Sequence, residues 1–395
     1  LEDKVAHRKF STRRENVKRL SAQEIHLLTQ ETLQAHFELE REGCAYGAED
    51  IWDVLLAAAV ERTTVETICD ELEGPSANTI RTALRGLLPD DERTTELESQ
   101  LNEMLVSHLP EKLLTKKLPC AADLVYIPYH GQHEDDEAIR RGMAKSGTTH
   151  FHCYATLYTV KHSKRYTLAL TLVRRSEKVL DVLQRLLNRV KSLEVRIKRL
   201  FLDRGFDNNA VIGYLREQPF PTIIALTIRG KTGGTRALLK GRKSYVTTYT
   251  RRSTIYPTET FAVHVACKYA KGRYKRQGLC RFAYIVVGEL NLHPLQIYHE
   301  YRLRFGIETS YRLMNLVRAR TTSKSSTLRL LYVGVALTML NLWVFVKWTC
   351  VARPRRGARQ VLHHLLPLAR WRLWLWEVVK QRQGFNMEIL VPTAA

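Results

Sequence analysis

The sequence predicts an α/β protein: a sheet-based core, preceded by an all-helical segment and interrupted by a basic, strand-rich stretch. Three observations carry this. Residues 1–115 hold long runs with few glycines or prolines and no two-residue alternation. From Pro119 the pattern switches to strands and then alternates strand with helix. Residues 228–282 hold 14 lysines and arginines against one acid, Glu259. A solvated surface normally mixes both signs, so a stretch of one sign reads as a surface tracking phosphates.

The helical segment comes first. Ala22 to Arg41 and Ala48 to Val60 are helical by composition. Thr64 to Leu72, a turn Glu73-Gly74-Pro75-Ser76-Ala77, and Asn78 to Leu88 spell helix, turn, helix, with Ser76 or Asn78 as the cap of the second helix. In a DNA-binding helix-turn-helix that second helix enters the major groove and presents Arg81 and Arg85. The acidic first helix (Glu66, Asp70, Glu71) leaves an ordinary helical hairpin as an equal alternative. Asp90 to Glu111 is polar enough for a connecting helix or linker.

Strands are expected at Ala121–Ile127, Thr148–Lys161 and Arg165–Val173, the last two joined by the turn His162-Ser163-Lys164. Val179 to Val190 has helical spacing of Val and Leu. A short buried strand (Arg199–Asp203), a helix (Asn208–Arg216) and another strand (Thr222–Thr227) follow. Three antiparallel strands, a helix, a strand, a helix and a strand is the order of an RNase H-like core. The basic stretch then holds strand-like runs at Ser244–Thr250, Glu259–Lys268 and Cys280–Val287, expected as an inserted β subdomain. Pro294 to Arg318 and Thr327 to Trp348 read as helices. The expected division is therefore a helical domain (1–115), a first core part (116–227), the insertion (228–288), the rest of the core (289–350) and a basic, aromatic tail (351–395).

The net charge of +22 and the pI near 9.8 ask for a polyanionic partner, nucleic acid before a membrane surface. The seven cysteines form no CxxC pair, which argues against a zinc knuckle and for a reducing cytoplasm. Leu1 to Leu20 has no apolar signal core. The uncharged run Leu330–Val346 is 17 residues long, short of the ~20 that cross a bilayer, and is expected to be a buried core helix.

Three acids are candidates for chemistry. Asp203 ends the apolar strand Arg199-Leu200-Phe201-Leu202 and precedes Arg204-Gly205, so its carboxylate is exposed where ligands bind in open α/β sheets. The alternative, a cap for the next helix, suits Asp207 better. Asp123 sits inside the apolar strand Ala121-Ala122-Asp123-Leu124-Val125, where a charge is costly unless paired or metal-bound. On one continuous helix Tyr301, Arg304 and Glu308 share a face; the plain alternative is a surface Arg–Glu pair worth ~0.3–0.5 kcal/mol. Other motifs fail. Gly230-Lys231-Thr232 resembles the end of a P-loop, but Ala225 stands where that loop needs glycine. His130 and His133 have no third ligand at a suitable spacing.

These residues carry a resemblance. Over roughly residues 119–350 the chain resembles the IS-four-type insertion-sequence transposases with a DDE core. Tyr301, Arg304 and Glu308 match that family's Tyr-x2-Arg-x3-Glu in type and spacing. The family's following lysine falls on Asn315, with Arg312 nearby on the helix. Tyr126-Ile127-Pro128-Tyr129-His130-Gly131 resembles the halobacterial-type (ISH-three-like) branch. The resemblance implies metal-dependent strand cleavage and transfer at inverted-repeat ends by a prokaryotic, nucleoid-associated cytoplasmic enzyme. Two Mg²⁺ or Mn²⁺ ions would be held by Asp123, Asp203 and Glu308. It also implies double-stranded transposon-end and target DNA as partners, a homodimer at synapsis, no membrane partner, and excision through a DNA hairpin with a flipped base on an aromatic ring. DNA contacts are expected from Tyr301, Arg304, Arg312, Arg251, Arg252, Lys271, Arg273, Lys275, Arg276, Arg81 and Arg85. The rivals are a non-catalytic transposase-derived DNA-binding regulator, disfavoured by the intact carboxylates, and a simple nuclease, disfavoured by the large basic stretch.

Overall fold

The computed structural model describes residues 19–39, 43–88, 94–132, 136–160, 165–271, 277–353 and 359–386; the side chains of Lys112, Ala270, Lys271, Gln277, Ile307 and Glu308 lie outside the described set. The chain forms two compact units, Leu1–Leu109 with Leu313–Ala395, and Pro110–Arg312. This differs from the five-part division expected, because the C-terminal helices share a unit with the N-terminal ones.

The first unit begins with α1 (Ala22–Gln34), α2 (Ala48–Glu61), α3 (Val65–Glu71), α4 (Ala77–Leu87) and α5 (Thr94–Val106). A capping box starts α1: Ser21 Oγ accepts from Glu24 N while Glu24 Oε2 accepts from Ser21 N at 2.7 Å. The helix stops short of Arg41. Its chain turns so that Phe37, 2% exposed, packs on the fully buried Trp52 with ring centroids 6.1 Å apart. Ser76 caps α4 by accepting from Thr79 N at 3.2 Å.

The second unit holds α6 (Glu111–Leu114), β1 (Leu118–Pro128), β2 (Ile139–Lys145), β3 (Thr148–Thr159), β4 (Thr167–Leu172), α7 (Val179–Ser192), β5 (Ile197–Leu202), α8 (Asn209–Arg216), β6 (Thr222–Ala225), β7 (Tyr245–Arg251), β8 (Glu259–Lys271), β9 (Gln277–Val287), α9 (Pro294–Tyr301) and α10 (Gly306–Met314). One mixed sheet runs β2-β3-β1-β5-β6-β9-β8-β7, with β4 also pairing β3. β1, β5 and β6 are parallel, and the other pairings are antiparallel. The path β4-β3-β1-β5-β6 is the order expected of an RNase H-like core. β2 was not expected from the sequence. It joins β3 through Ser146 and Gly147, both at positive φ (52° and 79°), as a two-residue hairpin turn requires. The turn expected at His162–Lys164 lies outside the described residues.

The basic strands extend the core sheet instead of closing a sheet of their own. β9 lies antiparallel to β6 from Thr222↔Val287 to Ala225↔Tyr284, and β8 and β7 follow it. The reason is on β6: without β9 its apolar edge would be bare. Ala283, Ile285, Val286 and Val287 bury themselves there. α7 buries Val182, Leu183, Leu186, Leu187 and Val190, one helical stripe. Ile297, Tyr298 and Tyr301 of α9 join a core with Phe201, Ile223 and Tyr284.

The helix expected over Pro294–Arg318 is broken. A 3-10 turn, Arg302–Phe305, separates α9 from α10. Side chains three apart eclipse in such a turn. Arg304 accordingly lies with its guanidinium carbon 5.4 Å from the Tyr301 ring centroid.

The first unit resumes with α11 (Ser326–Thr349) and α12 (Leu368–Gln383), between which β10 (Ala352–Arg353) pairs with β11 (Gln360–Val361). By length and composition α11 could cross a membrane, yet 89% of its most apolar window is buried inside the structure. It packs on α5, and α12 packs on α1 and α2. The region expected as a tail thus contributes core: Trp371 is fully buried.

Candidate active site

β1 and β5 end their pairing at Ala122↔Leu202, so the next residues, Asp123 and Asp203, are neighbours where β5 stops. Asp203 caps the 3-10 turn Arg204–Phe206, and its Oδ1 accepts from Gly205 N at 2.8 Å. Gly205 is not at positive φ. A Cβ there would sit 3.0 Å from Asp203 Oδ1, so glycine is needed for close approach more than for backbone freedom. The cap of α8 is Asn208, whose Oδ1 accepts from Val211 N at 2.9 Å. Asp207, expected in that role, is instead buried; it accepts from Thr227 N at 2.7 Å and pairs with Arg251 at 2.7 Å.

The Asp123 side chain is 12% exposed. Its Oδ1 accepts from Leu124 N at 2.9 Å and its Oδ2 from an Arg304 guanidinium nitrogen at 3.0 Å. Burial, and next the Asp203 charge, push the Asp123 carboxyl up to about 7, against the pull of Arg304 and Leu124.

The segment 301–311 reaches back to both acid-bearing strands. The Tyr301 hydroxyl donates to Leu202 O at 3.0 Å, next to Asp203. The Tyr311 hydroxyl donates to Asp123 O at 3.1 Å and lies 2.7 Å from Thr156 Oγ1. The Tyr158 hydroxyl donates to Arg304 O at 3.2 Å. Tyr301 is 4% exposed and Arg304 9%; of these two residues expected on DNA, Arg304 bonds the Asp123 carboxylate and Tyr301 the Leu202 carbonyl. Glu308 is on α10 three residues before Tyr311, and its side chain is outside the described set.

The other expected residues are spread out. Arg312 and Arg252 are exposed. Arg251 is spent on Asp207. Arg81 pairs loosely with Glu66 at 3.6 Å, both half exposed, and Arg85 is exposed. Lys271 lacks a described side chain, and Arg273, Lys275, Arg276 and His133 lie outside the described residues. Among the described residues no three His, Cys, Asp or Glu side chains cluster. Asp123 and Asp203 nonetheless fit a divalent cation: they are hard oxygen donors whose mutual repulsion a cation relieves. Sequence reasoning missed Tyr311, Thr156 and Tyr158. Only Tyr311 left a signal, its spacing of three from Glu308.

No known protein family matches the sequence, and no curated protein matches it. The fold has a counterpart among solved structures: a cryo-EM structure of the piggyBac transposase synaptic complex with hairpin DNA. That match has a TM-score of 0.53 at 11% sequence identity and covers 92% of this chain and 82% of that one. At that identity it is the fold that is shared.

Proposed function

We propose that this protein is a DNA transposase of the DDE class, cutting and joining phosphodiesters at the ends of its element. The observation that carries this reading is the pair Asp123–Asp203, brought side by side where β5 ends against the middle of β1 and steadied by Tyr301 and Arg304. The shared fold with a DNA-bound transposase supports it. Asp123, Asp203 and Glu308 would hold Mg²⁺ or Mn²⁺, which supplies charge stabilisation for the attacking and leaving oxygens. Arg304 keeps Asp123 in place, and Tyr301 fixes the strand end that carries Asp203. The exposed Lys240, Arg242 and Arg252 face phosphates, and Arg81 and Arg85 would serve an end-binding helix. We read the particular type as IS-four-like, from Tyr301, Arg304 and Glu308, working as a homodimer and excising through a hairpin.

The test pairs gel shifts with Mg²⁺-dependent cleavage on the element's own inverted repeats. Asp123→Ala, Asp203→Ala and Glu308→Ala should each abolish cleavage and leave end binding largely intact, because affinity comes from phosphate contacts. Full cleavage by any one would remove that residue from the site. Neutralising Lys240, Arg242 and Arg252 together should make the plot of log K against log salt shallower, by about 0.9 for each phosphate no longer neutralised. An unchanged slope would place the loops on either side of β7 away from DNA.

A further inference from the structure

We propose that Tyr311 is a positioning residue for the first carboxylate: with Thr156 it pins the β1 main chain at Asp123, and so fixes the donors a divalent cation meets. This rests on the reading of Asp123 and Asp203 as cation ligands.

In the sheet, Asp123 is paired with Thr156 of β3 on one side. On the other side the last pair with β5 is Ala122↔Leu202, so β1 loses its parallel neighbour at the residue that carries the acid. The Asp123 carbonyl points toward β3, since alternate residues from Pro119 to Tyr129 bond β3, and the Tyr311 hydroxyl adds a bond to that same carbonyl at 3.1 Å. A phenol has one proton to give. With that proton on Asp123 O, the 2.7 Å contact with Thr156 Oγ1 runs the other way, threonine donating to tyrosine. The chain Thr156→Tyr311→Asp123 therefore has a direction, and each bond polarises the next.

With the main chain held, Leu124 N and Arg304 each take one carboxylate oxygen. The Asp123 side chain is then fixed at its root and at both oxygens. Tyr311 also belongs to α10, three residues after Glu308. Its hydroxyl thereby ties the helix of the third expected acid to the strand of the first. Partners behind metal ligands typically carry a 10- to 100-fold share of metal affinity.

A merely structural tyrosine makes a different forecast, and Tyr166 is the control. It is 1% exposed in the same unit, and its hydroxyl has no hydrogen-bond partner among the described residues. The experiment is Mn²⁺ titration of the full-length protein by electron paramagnetic resonance, with thermal melts alongside. Tyr311→Phe should weaken Mn²⁺ binding about tenfold, Thr156→Val less, and Thr156→Ser should restore it. The double variant Tyr311→Phe with Thr156→Val should bind no worse than Tyr311→Phe alone. Tyr166→Phe should leave Mn²⁺ affinity unchanged. Wild-type affinity in Tyr311→Phe overturns the proposal. Should that variant not fold, wild-type affinity in Thr156→Val overturns it instead. If the wild-type protein binds no Mn²⁺, the cation reading itself fails and takes the proposal with it, an outcome told apart because every variant is then silent.

Discussion

Asp53 on α2 and Asp123 on β1 are both buried carboxylates, one in each unit, and their surroundings are opposite. Asp53 is fully buried. Its Oδ1 lies 2.6 Å from His26 Nε2 and accepts from Gln30 Nε2 at 2.5 Å. Its Oδ2 accepts from Arg382 Nε at 2.8 Å and Gln383 Nε2 at 3.2 Å. Four side chains from α1 and the end of α12 converge on it, so it ties three helices together and has no use for a cation. Asp123 keeps some exposure, has one guanidinium, and faces a second carboxylate. A buried acid surrounded by donors holds a fold together; a buried acid crowded by another acid is, on the proposed function, a candidate to hold something from outside.

The largest effects should separate the two by kind. Asp203→Asn should cost at least about 10³ in cleavage rate, on the order of 4 kcal/mol of barrier, with an unchanged melting temperature. Asp53→Ala should do the reverse. Removing one partner from a buried charged cluster costs about 3–5 kcal/mol, here leaving His26, Gln30 and the Arg382 Nε without their acceptor. Urea unfolding followed by circular dichroism would measure it. Loss of stability in Asp203→Asn of the Asp53→Ala size would erase the distinction.

A smaller effect concerns pH. The folded Asp123 carboxyl is raised to about 7 from an ordinary value of 3.8. A raised carboxyl makes the folded state hold its proton more tightly. The stabilisation is therefore fully present below about pH 4 and is lost as pH rises toward 7. Without metal, the wild-type protein should lose on the order of 2 kcal/mol relative to Asp123→Asn between about pH 5 and pH 8. Parallel curves for the two proteins would mean that Asp203 and burial do not crowd Asp123 as the geometry implies.

What the sequence disclosed follows the same contrast. Asp203 was legible because an apolar strand, an acid and a glycine are local signals. Asp123 was legible because a charge in an apolar strand is an anomaly. The strands of the core were legible from alternation and length. Asp53 was not, since its partners Arg382 and Gln383 lie more than 320 residues away in sequence. The 3-10 turn at Arg302–Phe305 was hidden because Tyr301–Met314 has good helical composition throughout, and the pull of Tyr301, Arg304 and Tyr311 toward β1 and β5 is tertiary. The place of β7–β9 in the core sheet was hidden too, because strand pairing over that distance is not a property of any one segment.

The smallest expected effect tests whether Asp203 is held as tightly as Asp123. Its Oδ1 accepts from Gly205 N at 2.8 Å, and a Cβ on residue 205 would stand 3.0 Å from that same oxygen. The approach is tighter than ordinary packing, so Gly205→Ala must push the carboxylate aside by a few tenths of an ångström. The backbone itself need not object, because Gly205 is not at positive φ. The fold should therefore survive with a stability change under about 1 kcal/mol, within the usual range for a surface substitution. Cleavage is more sensitive, since misplacing a reacting group by about 1 Å costs about 10²-fold. A fall of about three- to tenfold in cleavage rate is expected, with DNA affinity unchanged, and Gly205→Ser should behave alike because the clash comes from Cβ. The measurement is single-turnover cleavage at saturating Mg²⁺. A wild-type rate in Gly205→Ala would mean that the Asp203 side chain has room to move, and that only one of the two acids is held in place by its neighbours.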